Sequence, residues 1–193
     1  SSLTLFHKPL PEYVEYDPKI MLEVLSENFH KSKHVKTFSS VVEGARVGGK
    51  AGNISPFWLI SHAYHESRLN PLVEGDCKKG RRGKRVCRSF GLAQIQVYTA
   101  KVVDSTVTKK KLLDPKFNLL IAGKYYGRLI RKYGRQRAHV IYACGPTRCK
   151  NMRTTPTFLR RYRLYKKLER SYAKKASLRG ESQVNAVRVQ TDN

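Results

Sequence analysis

Long apolar runs are missing from this sequence. A membrane-crossing helix needs roughly 18 consecutive apolar residues, and stretches such as Phe57 to Ile60 fall far short of that, so a spanning helix is excluded. No internal repeat is visible. The start, Ser1-Ser2-Leu3-Thr4-Leu5-Phe6, lacks a Met and lacks a basic segment followed by an apolar one. It reads as a mature form, a processed fragment or an excised domain, and leaves export undecided. Cysteine is sparse: four residues in two close pairs, Cys77 with Cys87 and Cys144 with Cys149. Their intervals do not match a CxxC zinc ribbon. Two small disulfide loops in an oxidising compartment fit the pattern, with free buried thiols and zinc as the alternatives.

Acid is the other shortage. Fourteen Asp and Glu face thirty-nine Lys and Arg, giving a net charge of +25. Such an excess attracts polyanions and speeds encounters with them. Nucleic acid, an anionic membrane surface and an acidic cell-wall polymer all qualify, and charge alone does not choose. The chain has 193 residues, 40% of them hydrophobic, enough for one globular domain with a core.

Helix signals punctuate the chain. Residues 1 to 16 carry Pro9 and Pro11 and read as an extended lead-in. Asp17-Pro18 looks like an N-cap followed by proline at the first helical position, and Ile20, Val24, Leu25 and Phe29 continue at helical spacing to about His30. Gly48, Gly49 and Gly52 mark Val47 to Asn53 as a loop. Ser55-Pro56 repeats the cap signature before Phe57, Ile60, Ala63 and Tyr64, and Asn70-Pro71 forces an exit. The segment between Cys77 and Cys87 is an exposed basic hairpin or loop. Asp114-Pro115 opens a helix ending at Gly134. Within it Gly123 and Gly127 are costly unless another backbone packs close. A short helix spans about Arg137 to Ala143. Thr155-Pro156 begins a last helix with Phe158, Tyr162, Tyr165, Leu168 and Tyr172 on its packed stripe. The expected organisation is a lead-in and helix over 1–46, a catalytic domain over 47–176 and a polar, disordered tail over 177–193.

The chemistry concentrates at His65-Glu66-Ser67. A Glu at the end of an apolar helix can be half buried at a cleft wall, and burial raises its pKa toward what a general acid needs at neutral pH. By itself such a Glu is usually a surface residue. Here it is followed by Gly91-Leu92-Ala93-Gln94-Ile95-Gln96, then Asn118 to Tyr126, then Val140-Ile141-Tyr142-Ala143-Cys144-Gly145-Pro146. These four segments, in this order, resemble the lytic transglycosylase (soluble lytic transglycosylase-like) domain, whose pattern is Glu-Ser, Gly-Leu-Met-Gln-Ile, a helix with Asn and Gly before Tyr-Leu, and Tyr-Asn-Ala-Gly-Pro. The resemblance covers about Ile54 to Arg148. Ala93 stands where the family has Met, Ala143 where it has Asn and Cys144 where it has Ala.

The resemblance implies a mainly α, α+β lysozyme-like fold: a helical catalytic domain with a cleft and a small loop or hairpin region. It implies that Glu66 protonates the glycosidic oxygen between N-acetylmuramic acid and N-acetylglucosamine, then acts as base on the muramoyl 6-hydroxyl to give a 1,6-anhydro product. Tyr142 would orient Glu66. Gln94 and Ile95 would contact the sugar, and Ser67 would lie beside the scissile bond. Ordinary glycoside hydrolysis uses two carboxylates, and the acids near Glu66 are Glu74 and Asp76. Either could position water, the goose-type lysozyme alternative; otherwise they are a solvated pair among basic neighbours. His62 and His65 lack a third ligand at metal spacing, so no metal and no cofactor is expected. Trp58 reads as core or cleft wall.

The expected partners are peptidoglycan glycan strands and an anionic wall or membrane surface, with the isolated domain a monomer. The location would be a phage virion, the bacterial periplasm or the extracellular wall. The competing class is a nucleic-acid-binding module on a lysozyme-like shell, supported by the charge, the basic loop and Arg160-Arg161-Tyr162-Arg163.

Overall fold

In the computed structural model the described residues are 9–79, 84–145 and 156–180. Helix starts follow the acid-proline pairs. The Asp17 carboxylate accepts from the amides of Lys19 and Ile20 at 2.7 and 2.9 Å and opens α1 (Pro18–Asn28). Asp114 accepts from Phe117 N–H at 2.6 Å at the head of α6 (Pro115–Tyr133). Ser55 departs from expectation: its side chain makes no capping bond to α3 (Pro56–Ser67). Proline at N1 presets φ for the helix, and α3 starts without a side-chain cap.

The glycine-rich segment is also not a loop. Gly48, Gly49 and Gly52 lie inside α2 (Phe38–Gly52), which runs unbroken through residue 46 and ends on left-handed Asn53. Gly48 and Gly52 meet the Gly123 and Gly127 of α6. A Cβ on Gly123 would sit 2.0 Å from the Gly48 carbonyl oxygen, and one on Gly52 would sit 2.1 Å from that of Gly123. The partner that Gly123 and Gly127 require is therefore the segment whose glycines suggested a turn. Helical glycine costs roughly 1 kcal/mol each against alanine; close backbone packing along the seam offsets it.

Against this α2–α6 pair lie α1, α3 and α7 (Arg135–Cys144), and α8 (Pro156–Leu178) packs on α3 and α1. Their shared core holds Phe57, Trp58, Ile60, Leu119, Tyr126 and Leu168. Trp58 is core, packed on Phe158 and Tyr165 at centroid distances of 5.4 and 6.2 Å. The apolar stripe of α8 is Phe158, Tyr165, Leu168, Tyr172 and Ala176, with Tyr162 half buried at its edge. The lead-in is not idle: Leu10 and Tyr16 are buried, and Pro11 O accepts from Ser55 N–H at 3.0 Å.

Between α3 and α6 the chain forms a second, smaller unit. Strands β1 (Glu74–Gly75), β4 (Ser89–Phe90) and β5 (Ile95–Gln96) make an antiparallel sheet in the order β1-β4-β5. β2 (Lys78–Lys79) pairs with β3 (Arg85–Val86) as the exposed basic hairpin expected from the sequence; its residues 80–83 lie outside the described residues. Short helices α4 (Val97–Lys101) and α5 (Lys109–Leu112) follow. This lobe has its own core of Phe90, Ile95, Ala100, Val107, Leu112 and Ile121. A disulfide joins Cys77 to Cys87. Cys149, the expected partner of Cys144, and the tail beyond 180 lie outside the described residues. No helix among the described residues is long and apolar enough to cross a membrane.

Candidate active site

Helix α3 is buried along most of its length, and its last turn delivers Glu66 to the junction of the two lobes. There Glu66, Asp76, Ser89, Ala93, Gln94, Tyr142 and Ala143 line a cavity of about 230 Å³. Three segments supply it: the end of α3, the β lobe and the end of α7. Two of the residues that depart from the family pattern, Ala93 and Ala143, are in its wall.

The Glu66 side chain is 30% exposed and, among the described residues, bonds the guanidinium of Arg161, itself only 4% exposed. Burial pushes the Glu66 carboxyl above the usual carboxylate range; Arg161 pulls it back down, and the nearby Asp76 charge raises it again. The net direction is upward, toward a carboxylic acid that still holds its proton when an exposed one has lost it. Sequence reasoning missed Arg161, which it placed on a basic, nucleic-acid-like face. The signal was available: positions 158, 161, 165, 168, 172 and 176 follow one helical stripe, and Arg161 is its charged member.

Asp76 is the second carboxylate of the cavity. Left-handed at φ 51°, it accepts hydrogen bonds from the Ser89 hydroxyl and, at 3.4 Å, from the Gln96 amide. Glu74 is not in the cavity wall; it pairs with Lys109 at 2.7 Å. Of the two acids the sequence offered for positioning water, the fold brings Asp76 to Glu66 and gives Glu74 a surface ion pair.

Other expected site residues have structural positions. Ser67 is buried and its hydroxyl donates to Ala63 O at 2.9 Å one turn back, so it is turned to its own helix rather than to the cleft. Ile95 is 2% exposed and fills the β-lobe core; its side chain is not a sugar contact. Gln94 ends the preceding turn in the left-handed region (φ 47°), and Ile95 opens β5 facing the lobe core. Gln94 does line the cavity. Its amide nitrogen donates to Val73 O at 3.1 Å and Gly91 O at 2.8 Å, and its Oε1 lies against Gly75, where a Cβ would sit 2.1 Å away.

Tyr142 also lines the cavity, but its hydroxyl donates to Ala93 O at 3.3 Å; Glu66 is held by Arg161 instead. The Ala93 carbonyl is shared. His62 Nε2 lies 3.4 Å from it, and His62 Nδ1 lies 3.1 Å from the Tyr126 hydroxyl. Burial drives the His62 pKa well down, so the ring is neutral, donates from Nε2 and accepts from Tyr126 through Nδ1. Asn118 completes the clamp: its Oδ1 accepts from Ala93 N–H at 2.8 Å, while its amide donates to Phe90 O and Leu112 O. The 90–94 turn is thus bonded to α3, α6 and α7 at once. His62 is a buried packing residue. Among the described residues no group of three His, Cys, Asp or Glu converges as a metal site.

A raised-pKa carboxyl at a two-lobed cleft, with a second carboxylate in the same cavity, can do proton-transfer chemistry on a glycoside. The family model of the transglycosylase SLT domain matches residues 45–163. No curated protein matches the chain. The match spans α3, the β lobe, α6, α7 and the head of α8, including every residue of the cavity and Arg161. The chain belongs to the transglycosylase SLT domain family, a mainly α, lysozyme-like group of lytic transglycosylases acting on peptidoglycan.

Proposed function

We propose that this protein cleaves the β-1,4 bond between N-acetylmuramic acid and N-acetylglucosamine, with Glu66 as its single acid and base. The observation that carries this reading is the half-buried Glu66 carboxyl, raised in pKa, opening into the cavity between the lobes. Protonated Glu66 gives its proton to the glycosidic oxygen, and the bond to C1 breaks. The substrate acetamido group stabilises the positive C1. The resulting carboxylate removes the proton of the muramoyl 6-hydroxyl, whose oxygen closes on C1. Glu66 ends protonated and the product is a 1,6-anhydro sugar, with no water consumed. Gln94 and Tyr142 contact the sugar from the cavity wall.

One observation favours a second reading, hydrolysis: Asp76 shares the cavity with Glu66 and could hold a water for attack on C1. Mass spectrometry of soluble products from purified peptidoglycan separates the two. Muropeptides ending in 1,6-anhydro-muramic acid, absent with Glu66→Gln, support the first. Reducing ends support the second, and no release from several wall types overturns both in favour of a nucleic-acid-binding module.

The substrate places the enzyme at the cell wall, in the periplasm, outside the cell or on a phage particle. Charge is unevenly spread, and this supports an anionic wall surface as the second partner. Residues 77–168 carry 26 Lys and Arg against 2 Asp and Glu, while residues 1–76 carry 8 against 9. Contacts to nucleic acid through the same surface belong to the alternative reading. A monomer suffices, because one chain supplies the whole cavity.

A further inference from the structure

Arg161 is an unusual neighbour for a general acid. It lies in the second turn of α8, its backbone carbonyl accepts from the buried Ser61 hydroxyl at 2.6 Å, and Ser61 sits on the same helix as Glu66. The guanidinium is therefore fixed relative to α3 from both ends. Its surroundings contain no other anion: Glu66 is its one ion-pair partner among the described residues. Three imidazoles lie within its electrostatic reach, His62, His65 and His139, and burial together with the Arg161 charge lowers the pKa of each. A buried cation among neutral rings interacts strongly with the single carboxylate it touches.

We propose that Arg161 is the positioning residue of Glu66: its Nη2 binds Oε1 and so presents Oε2 as the oxygen that gives and takes the proton. Among the described residues no hydrogen bond reaches Oε2, whereas Oε1 is engaged by Arg161. A carboxyl free to rotate offers either oxygen in many orientations; one held at Oε1 by a buried guanidinium offers the other oxygen in far fewer. The pair also balances the two half-reactions. Burial makes Glu66 hold its proton, and the guanidinium stabilises the carboxylate left after the proton is given. The inference rests on Glu66 being the acid.

The groups facing Glu66 are Arg161 from α8, Asp76 from the β lobe, and Tyr126 and Tyr142 from α6 and α7. Removing the Arg161 cation leaves burial and Asp76, both of which raise the Glu66 pKa. Activity needs the protonated acid, so the alkaline limb of the kcat/KM profile moves to higher pH.

The test uses the full chain and soluble, uncrosslinked peptidoglycan glycan, with Arg161→Met, Arg161→Gln and Arg161→Lys. For Met and Gln we expect kcat to fall about tenfold or more, KM to stay within about twofold, and the alkaline limb to rise by about one pH unit. Lys, which restores charge without the planar fork, returns the limb toward that of the wild type while kcat stays low. The Gln variant keeps a donor near Oε1, so it carries the test if Met does not fold. Wild-type kcat and an unmoved limb in a folded Met or Gln variant, with loss confined to the melting temperature, overturn the inference. Glu66→Gln distinguishes the two levels: if it stays active, the reading of Glu66 falls and this inference with it; if it is inactive while the Arg161 variants behave as wild type, only this inference falls.

Discussion

The helical body and the β lobe reach order by different means, and the candidate active site lies where they meet. The body is close-packed: α2 and α6 touch backbone to backbone through glycine, and aromatic rings fill the space under α3 and α8. The β lobe has strands of two residues each and a core of six buried side chains. Strands so short do not hold a sheet together unaided. This one is fastened by Asn118 reaching from α6, by His62 and Tyr142 gripping Ala93 O, and by the Cys77–Cys87 disulfide. Glu66 belongs to the first region; Asp76 and Gln94 belong to the second. The difference teaches that the proposed acid sits on a helix buried along most of its length, while the other cavity residues depend on ties between the lobes.

That contrast is open to direct attack. The largest effect should come from the acid proposed for the body: Glu66→Gln lowers glycan cleavage by at least about 10²–10⁴-fold and leaves the melting temperature near the wild-type value. Collapse of the fold in that variant would mean that the pair with Arg161 is structural. Next, Gly123→Val drives a side chain into the Gly48 carbonyl and should cost about 3 kcal/mol or more of global stability, read as a single early unfolding transition. A small or local loss would show that the seam yields and that the body is less rigid than its packing implies.

Smaller and confined to the lobe, Cys77→Ser with Cys87→Ser should cost no more than about 3 kcal/mol by loop closure. The expected signature is faster hydrogen exchange across residues 74–96 with the helical body still protected. Uniform acceleration would break the two-region picture. The mildest test is pH. Burial pushes the His139 pKa down to about 4 from the ordinary imidazole value of about 6.5, and His62 is lowered too. A depressed imidazole contributes stability that is present above about pH 6.5 and lost as pH falls toward 4. Thermal melting should therefore worsen progressively through that window in the body, and His139→Phe should flatten the decline.

Much of this division was legible in the sequence where a local rule decided the outcome. Asp17-Pro18 and Asp114-Pro115 started helices, Gly134 ended one, and Gly123 and Gly127 announced a close neighbour because no local gain explains glycine there. The place of Glu66 in the cavity was recognisable from its position after an apolar helix and from the motif order around it. The failures were non-local. Gly48, Gly49 and Gly52 look like a turn until α6 is laid against them. Ser67 and Ile95 were given to the substrate, and Tyr142 to orienting Glu66, because a motif says which residues are near a site, not which way each one faces. Arg161 was hidden for a related reason: its value depends on the phase of α8 against α3, and a basic helix offers many arginines to choose from.

The contact between α3 and α8 has a consequence in time. Ser61 and Arg161, one hundred residues apart, are bonded to each other, and Trp58 packs against Phe158 and Tyr165. A chain under synthesis presents α3 long before α8 exists. Until the last helix arrives, the indole of Trp58 and the hydroxyl of Ser61 lack the surface that covers them, and a product cut short before Pro156 keeps them uncovered. Such a fragment is a sticky folding intermediate rather than a smaller enzyme, a natural target for chaperones and proteases.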